Sequence, residues 1–328
     1  MALGLIVLAV SFIAGMVAVD TDTGIDLRSM LVTAAAEIGQ LRWQFAVILV
    51  GCVSLHYLAA GLGARAVMTV PANWREATLV QLAAAAANRV TPAGLGGSAV
   101  NARYFCRRSM SVSAALGAVA TLALLGAIAD LITGVAVVGL GSVGGIDGSA
   151  RELRQIASFG AHLAGPLQRS WPWVAAAAVV LVAFAVVLGR RVGWAVWRHG
   201  RRGALTPAWQ LCRQPRRLAQ LMCASSATTL LQGFAFVCAV WMVPGGHPAI
   251  SAGGLLVGYM LASAVSSTIP VPSGLGSTEA ALVAVLIAAR VPAAQAVEQV
   301  MVFRVVTFWS PAVLGLLISR RLHRAGVL

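Results

Sequence analysis

Apolar residues in this chain do not alternate with polar ones. They come in long runs separated by short polar or arginine-bearing interruptions. Trp43 to Met68, Ser111 to Leu140, Trp171 to Gly189, Leu218 to Val243 and Val297 to Ser319 each predict a membrane-spanning helix, since about 20 apolar residues cross the hydrocarbon layer. Ala2 to Val19 predicts a further, short span, because it has neither a basic leader nor a small-residue cleavage pattern before Asp20. Between these runs, Ser29 to Leu41 and Glu152 to Leu167 have the spacing of helices lying in the interface.

Two apolar stretches break this rhythm. Glu76 to Val90 is too short to cross upright, and it is followed by Thr91-Pro92-Ala93-Gly94-Leu95-Gly96-Gly97-Ser98, then Ser98 to Phe105 and Cys106-Arg107-Arg108. Ile250 to Ser267 likewise runs into Val271-Pro272-Ser273-Gly274-Leu275-Gly276-Ser277-Thr278, with Ser277 to Ala289 beyond it. Pro92 and Pro272 lie 180 positions apart, and the two motifs align on that offset. Proline removes a backbone donor and glycine weakens a helix, so both helices are broken here. Irregular backbone survives at membrane depth only where protein or a wet cavity covers it. The pattern predicts an all-α polytopic membrane protein with two re-entrant helical hairpins. It is one integral membrane domain over 1–328, with pseudo-repeat halves at about 43–141 and 218–319 joined by 142–217.

Composition agrees with this fold class. Hydrophobic residues make up 59% of the 328 and charged ones 10%, against roughly a quarter charged in soluble domains. Mean hydropathy is +0.86. The net charge of +14 comes from 24 arginines without a lysine. Eight of those arginines fall between Arg190 and Arg217, which contains no acid but does contain Trp194, Trp197 and Trp209. By the positive-inside rule this segment is a cytoplasmic loop lying on the membrane, as is the tail at Arg320-Arg321-Leu322-His323-Arg324. Counting crossings back, the first hairpin opens to the cytoplasm and the second to the outside, an inverted repeat. The chain is expected in the inner (plasma) membrane with its C-terminus cytoplasmic. Nucleic acid is not an expected partner, because the arginines flank apolar segments and form no binding motif.

Cys52, Cys106, Cys212, Cys223 and Cys238 fall singly, and the histidines are scattered, so neither a metal nor a cofactor is expected. The candidate chemistry gathers at the breaks. Gly94, Gly96, Gly274 and Gly276 let a head group approach backbone N–H groups at half-helix N-termini, which attract anions. Glu279 follows the second break, and Arg304 lies deep in the last span, where an ionised side chain is costly and needs a partner. Glu279, Glu298 or a lipid phosphate are the partners within reach. In the first half, Arg103 is the counterpart phosphate candidate, with Arg89 and Asn101 nearby. Asp130 interrupts an apolar span and is equally consistent with binding or with helix packing.

Pro270-Val271-Pro272-Ser273-Gly274-Leu275-Gly276-Ser277-Thr278-Glu279-Ala280-Ala281, followed by Phe303-Arg304 and Phe308-Trp309-Ser310-Pro311, resembles the signature of the lysylphosphatidylglycerol synthase transmembrane, or flippase-like, family. Asn88 to Gly97 is similar to that family's first-half motif. The family includes the membrane half of the multiple peptide resistance factor, which moves aminoacylated phosphatidylglycerol between leaflets. The resemblance implies a stand-alone member without the cytosolic transferase domain. The candidate substrate-binding residues read from the chain itself are Arg304, Glu279, Arg103, Arg89, Asn101, Asp130 and the break glycines. One departure is that Gly126 to Asp130 lacks the arginine that accompanies the acid in the family.

These observations favour a transporter of a phosphate-bearing lipid, either an aminoacyl-phospholipid or a polyprenyl-phosphate glycolipid. Two other classes stay open. One is a membrane-embedded transferase using Glu279 or Asp130 as base; the other is a non-transporting subunit bound to a cell-envelope enzyme. A homo-oligomer is also compatible with the sequence. Without paired carboxylates, a nucleotide loop or a metal site, the enzyme class is the weaker one.

Overall fold

The computed structural model describes residues 41–91, 95–143, 201–245, 248–268 and 276–328. The expected helices Ala2–Val19, Glu152–Leu167 and Trp171–Gly189, the Ser29–Gln40 stretch, the arginines at 190, 191 and 198, and the centres of both breaks lie outside the described residues. Those centres include Gly94 and Gly274.

The described chain is helical throughout and contains no strand. In order it forms α1 (Trp43–Ala66), α2 (Trp74–Val90), α3 (Leu95–Arg107), α4 (Val112–Val143), α5 (Arg201–Arg213), α6 (Pro215–Met242), α7 (Ala252–Thr268), α8 (Ser277–Ala288), α9 (Ala293–Arg304) and α10 (Ser310–Arg324). A π-helical turn, Val305–Trp309, joins α9 to α10 without a break. Four helices are long and apolar enough to cross a membrane: α1, α4, α6 and the continuous α9–α10. Their outward faces are apolar, as Val47 at 74% exposure and Leu131 at 68% show. Large exposed apolar patches mark a surface that water does not cover. This is a multi-pass membrane protein.

The half-helices pack by close backbone approach, the usual route where lipid removes the hydrophobic drive between helices. A Cβ on Gly61 of α1 would lie 2.7 Å from the Thr78 hydroxyl of α2, and one on Gly258 of α7 would lie 2.5 Å from Val285 of α8. In the first part of the chain α1 packs on α2, α2 on α3, and α3 on α4. In the second, α6 packs on α7, α7 on α8, and α8 on α9. The two series meet along α1 and α6, and they exchange partners where α2 packs on α10 and α7 on α4.

Two sequence expectations change. The arginine-rich loop is in part a helix: α5 carries Arg201, Arg202 and Arg213 at its ends, and between them Pro207 and Leu211, one turn apart, are buried. Leu211 is buried in the core shared with α4 and α6, while Arg213 stacks 3.6 Å over the Trp209 ring. The second half of the first hairpin also starts earlier than expected, at Leu95 inside the glycine motif. Side chains of α2 cap it there, as described next.

Candidate functional site

The second break ends at Gly276, whose backbone (φ +83°, ψ −51°) lies in a region strained for any residue with a Cβ. Glu279 is the third residue of the helix that follows. One of its carboxylate oxygens accepts the Gly276 N–H at 2.8 Å, which is half of a capping box. The other oxygen accepts Nε of Arg304 at 2.6 Å. A single carboxylate therefore caps α8 and pairs with a cation from α9.

Arg304 is 8% exposed. Its Nη2 is buried and has no hydrogen-bond partner among the described residues. Guanidinium is always charged, so this edge is a donor held ready in a low-dielectric interior. Its face lies 4.7 Å from the centroid of Phe308, one helical turn on.

Phe308 has a second cation. Arg89, at the end of α2, places its guanidinium 4.4 Å from the same ring centroid. Unlike Arg304 it is engaged on each nitrogen. Nε donates to the Phe308 carbonyl at 3.0 Å, Nη1 to Ala85 at 2.5 Å and Nη2 to Thr307 at 3.4 Å. Tyr57 of α1 lies close to it. Two cations on one ring bring the last turn of α2, just before the first break, next to Arg304, whose partner Glu279 opens the helix after the second.

Residues that the sequence grouped with these lie elsewhere. Asn101 is buried and accepts from Gln81 at 2.8 Å, tying α3 to α2. Arg103 is exposed on α3, and no described contact joins it to Arg304. Asp130 accepts the Thr229 hydroxyl, tying α4 to α6. Thr133 donates to Ser226 at 2.7 Å beside it, and His56 meets the Thr228 carbonyl at 3.1 Å. These contacts form a polar lining between α1, α4 and α6 rather than one cluster.

The backbone donors reserved for an anion are also engaged. The Thr91 hydroxyl accepts the Gly96 N–H at 2.8 Å, and the Asn88 side chain accepts that of Gly97 at 2.5 Å. Among the described residues, the Gly96, Gly97 and Gly276 N–H groups are engaged, whereas Nη2 of Arg304 has no hydrogen-bond partner.

A family model described as "Lysylphosphatidylglycerol synthase TM region" matches residues 3–315. The chain belongs to this family. Membership carries a lipid-related role in the membrane, without deciding between movement and chemistry on the lipid. Among curated proteins no match was found.

The sequence reading missed Phe308, Tyr57 and the π-helical turn. Two signals were there to be read. Phe308 stands four residues after Arg304, the spacing at which side chains meet on a helix. Pro311 lacks the N–H that would serve the Thr307 carbonyl in α-helical register.

Proposed function

We propose that this protein translocates a phosphate-bearing membrane lipid, with Arg304 meeting the phosphate while the acyl chains remain in lipid. One observation carries the reading: a guanidinium 8% exposed, oriented by Glu279 yet with Nη2 unpartnered among the described residues, sits beside a broken helix. Intramembrane charge is expensive and marks a substrate path more often than a packing device. Arginine also matches phosphate bidentately. Broken helices in corresponding positions are the usual place for a transport site, and the recurring contact order around α2–α3 and α7–α8 supports two such positions. On this reading the halves are an inverted repeat that alternates access in the inner membrane, with the arginine-rich tail cytoplasmic.

Head-group chemistry by general base catalysis has less support. Glu279 is held by Arg304 and Gly276, and Asp130 by Thr229. The test is lipid movement in liposomes holding the purified protein and fluorescent lipids of different head group. Translocation of a phosphate-bearing lipid that falls at least tenfold in Arg304→Gln is expected. Equal rates in wild type and Arg304→Gln would end the proposal.

A further inference from the structure

We infer that Arg89 is a positioning residue for Arg304, and that it acts by donating to the carbonyls of the widened turn ahead of Pro311. Proline in a helix removes one hydrogen bond and its ring crowds the carbonyl four residues before it, here Thr307. The chain widens at this point into the π-helical turn Val305–Trp309, and the Ser310 N–H and hydroxyl both turn back to Val305. A wide turn at membrane depth needs other donors for its carbonyls. Arg89 provides them, to Phe308 at 3.0 Å and to Thr307 at 3.4 Å, and in doing so lays its guanidinium on the Phe308 ring. The same ring carries Arg304.

The geometry has a consequence for Arg304. An α turn places successive side chains 100° apart and a π turn rather less. Closing the wide turn would rotate Phe308 away from Arg304. Arg89 thus fixes the direction in which the unpartnered Nη2 faces, although its own nitrogens are all engaged. Arg89 also stands immediately before the first break, whereas Arg304 serves the second through Glu279 and Gly276.

The test uses 4-fluorophenylalanine at position 308 in otherwise full-length protein, in phosphatidylcholine nanodiscs titrated with short-chain phosphatidylglycerol. Arg89→Gln is expected to move the fluorine resonance before any lipid is added, and to raise the Kd for phosphatidylglycerol about tenfold. Pro311→Ala restores the N–H for the Thr307 carbonyl and lets the wide turn close, so with Arg89 intact it should also move the resonance and raise the Kd. An unmoved resonance in Arg89→Gln, or in Pro311→Ala, overturns the inference. A higher Kd with an unmoved resonance would make Arg89 a direct ligand of the phosphate instead. If Arg89→Gln does not fold, Arg89→Lys is read by the same criteria, since a single ammonium cannot reproduce the planar fork. The affinity part rests on the head-group reading above, but the resonance does not. An Arg304→Gln variant with unchanged Kd would remove that reading and leave the resonance to decide the role of Arg89.

Discussion

Arg304 and Glu279 form an ion pair at 2.6 Å, and the carboxylate that holds the guanidinium also closes the N-terminus of the next half-helix. The pair is therefore a joint between α8 and α9 as much as a charge balance. Removing one partner of a buried pair is worth about 3–5 kcal/mol, because the other charge is left alone. Glu279→Ala should lose that much. Glu279→Gln retains an oxygen for the Gly276 N–H and should lose less. Unfolding in detergent should rank wild type above Glu279→Gln above Glu279→Ala. Glu279→Gln combined with Arg304→Gln should be less damaging than the two single losses together, as expected of coupled groups.

Gly276 tests whether backbone conformation, rather than space, explains the glycine at the second break. Among the described residues nothing lies within 4 Å of where its Cβ would stand, yet φ is +83°. Gly276→Ala should therefore be destabilising by about 1–2 kcal/mol, the penalty for a Cβ in left-handed backbone. A larger residue there should add little to it. The observable is the thermal midpoint of Ala and Ser variants in one detergent. A steep further fall from Ala to Ser would mean that space is the constraint.

Glycines in helices separate by the opposite criterion. A Cβ on Gly315 would press on the Leu82 carbonyl and lie 2.9 Å from the Ala86 Cβ, at the seam between α10 and α2. On Gly51 of α1 it would meet nothing within 4 Å. Gly315→Ala should lower the thermal midpoint, whereas Gly51→Ala should hold or raise it, helix propensity adding up to about 1 kcal/mol of stability. Since α2 ends in Arg89, Gly315→Ala should also slow lipid movement.

How much of this was legible depended on whether the controlling interaction was local. The four described spans and the two breaks follow from run length and from the Pro and Gly residues at 92–97 and 270–276. Arg304 stood out because a charge in an apolar run has no ordinary explanation, and Glu279, one of three partners considered, is the one it meets. Arg103 and Asn101 were grouped with it by proximity to the first break alone. Which face of α3 they occupy depends on its packing against α2, and that no local pattern specified. The α5 helix was hidden because the tally of arginines concealed an apolar stretch between charged ends. Arg89 and Phe308 lie 219 positions apart, and only the packing of α2 on α10 joins them.

The caps on α3 give the last prediction, and it separates two ways of using a broken helix. If the first break were an open anion seat, the Gly96 and Gly97 amides would face the head group. Instead Thr91 and Asn88 accept both N–H groups, and Thr91 also donates to the Ala87 carbonyl at 2.9 Å. Gly96 itself has no room for more, since a Cβ would lie 2.5 Å from the Thr91 hydroxyl. Losing a cap of this kind costs about 1 kcal/mol, so Thr91→Ala and Asn88→Ala should each destabilise α3 by that order. In hydrogen–deuterium exchange, the peptide carrying Gly96 and Gly97 should exchange faster in either variant. Saturating phosphatidylglycerol should leave that peptide's exchange unchanged in the wild type, because its donors are already taken. Lipid-dependent protection there would instead place the phosphate on the first break and demote Arg304 to a partner of Glu279.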